Sequence, residues 1–339
     1  MTIKDIARLS GCGVATVSRV LNGHPDVSPS TRERVLAVLE QYSFQPNSNA
    51  RYLKQQSGRR AAIIVKGSRN LLFAEMVEQT QQRLQDKGLD TAVYYLDEDA
   101  NEVAFARQVC REYKPPAILF LGGDLEFFRQ EFRGIAVPCV LMTNSAAELG
   151  YPNLSSLTTD DEAAAEQGVD YLMSRGHRRI GVLGGNWSCS QISYRRIVGC
   201  RRSFEKHGLV FEADRCCEPC RYSMDDAYAA TNRLLDRCPE TTAVFALSDV
   251  MAMGAIRAIR DRGLRVPEDI SVMGYDGIPI GRFLVPRLAT IRQETRRMAE
   301  RGAALLLEQL DGAGAPVHES VPFTLIEGES VSDCRAETE

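Results

Sequence analysis

The chain has 339 residues, 44% hydrophobic and 25% charged, an ordinary globular composition for two or three domains. No apolar run approaches the ~18 residues of a membrane span, and the opening MTIKDIARLS carries Lys4, Asp5 and Arg8, so neither a membrane helix nor a secretory signal is expected. The net charge of −4 hides a division: residues 1–60 hold nine Lys and Arg against four Asp and Glu, and the remainder is net acidic, so a polyanionic partner is expected for the head alone.

Residues 2–9 read as a helix that Thr2 can cap, with Ile3, Ile6 and Ala7 as its inward stripe. Gly11–Gly13 is a turn, and residues 14–21 form a second helix with Val17, Val20 and Leu21 inward. Ser28 before Pro29 opens a third helix, to about Tyr42, that buries Val35, Leu36, Val38 and Leu39. Two helices joined by a glycine turn make a helix-turn-helix candidate, the second helix being the one that enters a major groove. Pro46 ends this head; Asn47 can cap a short helix from Ser48 to about Lys54, and Gln55–Arg60 is a polar linker.

From Ala61 the pattern changes to short apolar runs separated by helical stretches. AAIIVKG, DTAVYYL, PAILFLGG and PCVLMTN alternate with helices such as 73–87 and 101–113, which predicts parallel βαβ units. The pattern repeats with RRIGVLGG, TAVFALSD and DISVMGYD between helices at 162–174, 195–207, 225–235 and 249–262. Two similar α/β lobes follow the head, and LATIRQ through HESVPFTLIEGES is expected to cross back between them, making a hinged cleft for a small ligand.

Enzyme and metal readings find little support. There is no Walker A sequence, no G-x-G-x-x-G after a strand, no HExxH and no G-x-S-x-G. The four histidines do not cluster, and His177 reads as part of a structural turn before a strand. Ten cysteines in such a chain read as free thiols. Cys217-x-x-Cys220, with Cys216 beside it, matches half a zinc site but lacks a second pair, so it reads as a surface turn before a strand. No metal and no cofactor are expected.

The stretches TIKDIA, ATVSRVLN, VSPSTRERV and PN-x-x-AR-x-L, then GHRRIGVLGG, SDVMAMGAIRAIRDRGLRVPEDISVMGYDG and P-x-L-x-TIRQ, resemble the lactose-repressor (LacI/GalR) family over essentially the whole chain. The resemblance implies an α/β protein: an all-α helix-turn-helix head at 1–45 and a hinge helix and linker at 46–60. A two-lobed core like a periplasmic binding protein follows, its parallel sheets flanked by helices, with 61–160 and 291–319 in one lobe and 161–290 and 320–339 in the other. It implies a cytoplasmic, homodimeric repressor of a palindromic double-stranded DNA operator, with no membrane role, whose affinity a small effector, foremost a carbohydrate, controls.

In the head, the resemblance places Val14 and Ala15 at base-reading positions and Arg19 at a third. Arg19 has the fork that bonds guanine O6 and N7, whereas Val14 and Ala15 can touch only a thymine methyl. Thr16, Ser18 and Asn22 are phosphate candidates. In the hinge, Asn47, Ala50, Arg51 and Leu53 match the minor-groove segment, with Leu53 as an apolar wedge. In the core, Arg196 and Asp276 match the pair that grips the effector, with an inter-lobe salt bridge as the rival reading. Phe73, Trp187 and Tyr222 match wall positions, and Asp160, Ser248, Asp249 and Gln293 are further candidates. Three departures stand out: Cys12-Gly13 where the family has Val-Ser, Thr143-Asn144 where it has Asp-Arg, and Gly277 where it has a second Asp. The alternatives are a regulator that binds DNA better with a co-repressor such as a nucleobase or with a protein partner and, from another class, a solute-binding protein or sugar-modifying enzyme.

Overall fold

The computed structural model describes residues 3–13, 16–17, 20, 27–41, 60–67, 70–185, 191–312 and 314–334. Residues 1–58 and 59–339 form separate compact units.

In the first unit, helix α1 (Ile3–Ser10) ends where Gly11 takes φ 64°, a conformation that costs a residue without Cβ little. The Cys12 amide donates to the Ala7 carbonyl at 3.0 Å, closing the helix end. The Gly13 carbonyl accepts from the amides of Thr16 and Val17 at 2.9 and 3.0 Å, so the next helical turn starts without a side-chain cap. Helix α2 (Pro29–Gln41) begins after Ser28, whose Oγ accepts from the Thr31 amide at 3.4 Å. Ala7, Val17, Val20, Val35 and Leu39 form the core. Val38 is only half-buried, and Leu36, expected inside, is 49% exposed. It sits one residue past Val35 and therefore on a different helical face.

The second unit holds two six-stranded sheets. The first has the order β11-β5-β4-β3-β1-β2, built from β1 (Arg60–Lys66), β2 (Asp90–Leu96), β3 (Ile118–Leu121), β4 (Cys139–Met142), β5 (Leu154–Thr159) and β11 (His318–Val321), all parallel. The second has the order β12-β10-β9-β8-β6-β7, from β6 (Ile180–Leu183), β7 (Cys217–Glu218), β8 (Ala243–Ala246), β9 (Ser271–Asp276), β10 (Ala289–Gln293) and β12 (Phe323–Ile326). Here β12 alone runs antiparallel. Strands β3, β4, β6 and β8 are buried at every residue, as a parallel sheet covered on both faces requires.

Helices α3 (Leu72–Asp86) and α11 (Thr295–Leu310) cover one face of the first sheet around Met76, Leu84, Met298 and Leu306. On its other face, α4 (Glu102–Tyr113) and α5 (Leu125–Glu131) close over Phe120, Phe128 and Phe132. The ring of Phe128 lies 5.0 Å from that of Phe120 and 5.5 Å from that of Phe132; each buried ring stabilises the lobe by about 1.5–3 kcal/mol. The second sheet is flanked by α6 (Asp161–Ser174), α7 (Ile192–Lys206), α9 (Met224–Arg237) and α10 (Asp249–Asp261), with a short α8 (Ala213–Cys216) before β7. The chain passes between sheets after Thr159, after Gln293 and between Val321 and Phe323. Strand β10 thus lies wholly in the second sheet and Val321 in the first, a shift of two or three residues from the expected crossings at 291 and 320. His177 is buried, with ring contacts to Thr242 Oγ1 at 3.1 Å and the Ser332 carbonyl at 3.0 Å, which pins the C-terminal segment to the turn before β6.

Candidate functional site

Open α/β sheets bind ligands beyond the carboxyl ends of their strands. There, a cavity of about 80 Å³ opens between the lobes. Lys66, Phe73, Glu98, Gly122 and Thr143 line it from the first lobe, and Gln191, Ile192, Arg196 and Tyr222 from the second.

The second-lobe wall depends on one close helix approach. A Cβ on Gly199 would strike the Glu162 carbonyl, so only glycine lets α7 lie this close to α6. That proximity brings Arg196 to Asp161. Arg196 Nε donates to Asp161 Oδ1 at 2.7 Å, and Nη1 donates to the Leu247 carbonyl at 2.6 Å. The guanidinium lies 3.7 Å from the centre of the Tyr275 ring, whose hydroxyl donates to the same Asp161 oxygen at 2.8 Å. Asp276 Oδ1 is 3.8 Å from Arg196 Nη1 and accepts from Gln293 Nε2 at 2.8 Å. Gln293 Oε1 in turn accepts from Thr159 Oγ1 at 2.9 Å. Two buried oxygens on this side, Asp276 Oδ2 and Tyr222 Oη, have no hydrogen-bond partner among the described residues. An unsatisfied buried oxygen costs free energy, so Tyr222 Oη in the cavity lining, with Asp276 Oδ2 behind Arg196, marks a place where a ligand can supply a missing bond.

Burial pushes the Asp276 carboxyl up to about 7, against the pull of Arg196 and of the Gln293 hydrogen bond. It raises Asp161 also, opposed by Arg196. Burial disfavours the charge on Arg196, but Asp161 and its other acidic and phenolic neighbours outweigh it and raise its pKa. Burial pushes the Tyr222 phenol up to about 12, so it stays a neutral donor. Asp276 also sits at φ 111°, strained for a residue with a side chain.

The first-lobe wall is simpler. Lys66, 8% exposed, donates to Glu102 Oε2 at 2.7 Å and lies 4.7 Å from the centre of the Phe127 ring. Glu102 Oε1 accepts from the Asp124 amide at 2.6 Å. Burial raises the Glu102 carboxyl, opposed by Lys66. Contacts then bridge the lobes at the rim. Gln191 Nε2 donates to Asp124 Oδ2 at 2.6 Å, Arg221 Nε to Glu98 Oε1 at 2.9 Å, and the Tyr222 amide to Glu98 Oε2 at 3.1 Å. Arg221 also pairs with Asp97.

Of the expected core residues, Phe73, Arg196 and Tyr222 line the cavity, and Asp276 contacts Arg196. Arg196 and Asp276 both belong to the second lobe, so they are not an inter-lobe bridge. Asp160 does not line this cavity: its side chain is exposed and caps α6, accepting from the Ala163 amide at 3.1 Å, while the neighbouring Asp161 turns inward to Arg196. Ser248 caps α10 through the Met251 amide at 3.2 Å. Asp249 lies outside the cavity lining: it accepts from Thr290 Oγ1 at 2.6 Å and from the Ile278 amide at 2.7 Å, fixing the loop after Asp276. Gln293 reaches the site through Asp276 and does not line the cavity. In the departures from the family pattern, Thr143 takes φ 74° at the cavity edge and Asn144 Nδ2 donates to the Gly123 carbonyl at 3.1 Å. A Cβ at Gly277 would collide with Arg292, which excludes an Asp there. Lys66, Glu98, Asp161 and Gln191 carried no motif that would have singled them out. Trp187 lies outside the described residues, as do Val14, Ala15, Ser18, Arg19, Asn22, Asn47, Ala50, Arg51 and Leu53. Thr16 is described and half-buried.

Residues 2–47 match the family described as bacterial regulatory proteins, lacI family, and residues 169–331 match the periplasmic binding protein-like domain. The HTH-type transcriptional regulator MalR of Clostridium butyricum is 34% identical over 97% of this chain and 99% of its own length. The ribose operon repressor of Haemophilus influenzae is 29% identical over 91% of this chain and 92% of its own. Among solved structures, a complex of the transcriptional regulator CelR with cellobiose aligns at TM-score 0.69 and 27% identity, over 97% of this chain and 99% of that one. A head that matches the regulators' DNA-binding module, a two-lobed core with a cleft, and end-to-end similarity to MalR converge: the chain belongs to the lacI family and is a DNA-binding transcriptional regulator.

Proposed function

We propose that this regulator is a repressor whose operator affinity is set by a polyhydroxylated small molecule, a carbohydrate, held in the cleft between the lobes. The observation that carries this reading is the pair of orphaned buried oxygens, Asp276 Oδ2 and Tyr222 Oη, beside the fixed fork of Arg196. Vicinal hydroxyls donate and accept at once and so suit a carboxylate, a phenol and a guanidinium together. Phe73 supplies the apolar face on which a sugar ring can stack. The ribose operon repressor and the CelR–cellobiose complex among the relatives agree with a sugar. Ile280, Phe283 and Val285 form an exposed apolar loop on the second lobe, consistent with a homodimer on a palindromic site. No described helix is long and apolar enough to cross a membrane, and a repressor of DNA works in the cytoplasm.

In the head, Arg19 is the proposed base reader by hydrogen bonds, Val14 and Ala15 the apolar readers, and Thr16, Ser18 and Asn22 the phosphate contacts. Ala50 and Leu53 are the small and wedging hinge positions, with Asn47 and Arg51 beside them. A ligand controls DNA affinity only through different affinities for the two lobe arrangements. The test is a thermal-shift screen of monosaccharides, disaccharides and nucleobases, followed by DNA-binding titrations with and without each hit on an operator selected from random sequence. A sugar that stabilises the core and weakens DNA binding supports the reading; a nucleobase that strengthens it overturns the inducer logic. Arg19→Ala should cost about 1–3 kcal/mol of operator binding and relax one base position.

A further inference from the structure

The segment that carries Arg221 and Tyr222 to the cleft starts at two adjacent cysteines. Cys216 ends the short helix α8 and is half-buried; Cys217 opens the edge strand β7 and is buried. The sequence reading of a surface turn is thus corrected at Cys217. Their sulfurs stand 3.9 Å apart. Arg237 holds the backbone here, donating to the Arg215 carbonyl at 3.0 Å and to the Cys217 carbonyl at 2.9 Å. From Cys217 the chain pairs with β6, and the Gly185 amide donates to the Cys220 carbonyl at 3.1 Å. It then reaches the rim contacts of Arg221 and of the Tyr222 amide with Glu98. Only Glu218, Pro219 and Cys220 therefore separate a dithiol on the sheet edge from the inter-lobe bridge.

We propose that Cys216 and Cys217 are a peroxide-reactive dithiol that closes to an intramolecular disulfide and loosens the 217–222 strap from the first lobe. The more accessible Cys216 sulfur attacks one oxygen of hydrogen peroxide; the O–O bond breaks, leaving a sulfenic acid and hydroxide, which takes the thiol proton and departs as water. Cys217 then attacks the Cys216 sulfur; the S–O bond breaks, the S–S bond forms, and the hydroxyl leaves with the Cys217 proton as a second water. Two thiols lose two electrons and one peroxide gains them. The electrostatics agree with this division of roles. A hydrogen bond from Cys217 holds the Cys216 thiol below its ordinary range, the same bond and burial raise Cys217, and burial pushes Cys220 up to about 12. Adjacent Cα atoms lie about 3.8 Å apart, nearer than the roughly 4.4–6.8 Å usual for a disulfide. The ring therefore closes only with backbone movement. Arg237 holds the Arg215 and Cys217 carbonyls together, and its Nη1 holds Glu218 Oε2 at 2.7 Å, so closing the ring has to stretch or break contacts that fix the strap itself.

The inference is independent of the effector, because its test uses neither sugar nor DNA. The full chain is treated with hydrogen peroxide, and the tryptic peptide Cys216–Arg221 is weighed with and without thiol alkylation. Loss of two hydrogens is expected in the native chain and in Cys220→Ser, with none in Cys216→Ser. In Cys217→Ala, a sulfenic acid on Cys216 should be trapped by dimedone; thermal unfolding confirms that each variant is folded. Hydrogen exchange of the oxidised chain should show the Tyr222 amide opening about tenfold faster, reversed by dithiothreitol. The proposal is overturned if Cys216→Ser still loses two hydrogens, which assigns the bond to Cys217 and Cys220. It is equally overturned if peroxide oxidises other cysteines first, or if Tyr222 exchange does not change.

Discussion

The two walls of the cleft handle buried charge in opposite ways. In the first lobe, Lys66 and Glu102 neutralise each other, and the remaining Glu102 oxygen is taken by the Asp124 amide. In the second, Asp161 and Asp276 share one Arg196, with the buried Asp249 close behind, and Asp276 Oδ2 has no hydrogen-bond partner among the described residues. In the first wall the carboxylate is fully engaged, and Lys66 at the cavity edge is neutralised by it. An acid-rich cluster with an orphan oxygen is less stable than it could be until something donates to it. On the proposed reading, the second lobe is the wall that meets a polar ligand.

The largest effect expected from breaking this contrast is that of Arg196→Ala. It strands Asp161 and Asp276 in the interior and releases the Leu247 carbonyl, so the core should lose about 5 kcal/mol, the upper end for breaking a buried pair. Urea unfolding of the variant measures this. A loss under about 1 kcal/mol would mean that water already reaches the cluster. Lys66→Met should cost about 3 kcal/mol by leaving Glu102 unpaired. Replacing Glu102 by Leu in the same chain should return more than half of it, because an apolar pair can substitute for a buried ionic one. If the double variant is as unstable as the single, Glu102 matters mainly through the Asp124 amide. The two walls would then be less different than their charges suggest.

How much of this could be read in advance follows from the range over which each feature is set. The buried strands were legible because a parallel sheet covered on both faces demands uninterrupted apolar runs such as ILFL at 118–121 and CVLM at 139–142. Helix starts were legible where a capping residue is local, as at Ser28, whose Oγ accepts from the Thr31 amide at 3.4 Å. The site was legible only at residues that carry a family motif, such as Arg196 and Asp276. Asp160 and Asp161 show why. Both are acidic neighbours, and which one caps and which turns inward depends on how closely α7 approaches. That approach depends on Gly199, nearly forty residues away. Lys66 and Glu98 lie in stretches whose local pattern says only strand end and loop. Their partners come from other segments, so no spacing announces them.

Tyr222→Phe sharpens the comparison without disturbing the ion pairs. It deletes one orphan hydroxyl, so the unliganded core should be unchanged or more stable by up to about 1 kcal/mol. Affinity for the effector sugar should fall by about 1.4 kcal/mol, tenfold. Calorimetry on the variant separates these outcomes. If affinity is retained, the phenol is satisfied by water in both states and does not read the ligand.

A pH dependence carried by Asp276 tests the same wall by titration. Its carboxyl is pushed up to about 7 in the fold, chiefly by burial, whereas an unfolded Asp titrates near ~3.9. Between those values the folded chain binds a proton that the unfolded chain does not. Stability from this group is therefore greatest below the unfolded value and declines as pH rises through the folded one. Asp161, Asp249 and Glu102 are raised in the same direction, so the core should soften as pH rises from about 4 to about 7. Asp276→Asn isolates the contribution, because its melting temperature should fall less steeply over that window than the native chain's. A sugar hydroxyl that donates to Asp276 Oδ2 favours the ionised form, so binding should expel a proton below about pH 7 and strengthen as pH rises to that point. Calorimetry in buffers of different ionisation enthalpy counts that proton. None released by the native chain, or as many released by Asp276→Asn, would mean that the second-lobe wall does not meet its ligand through this carboxylate.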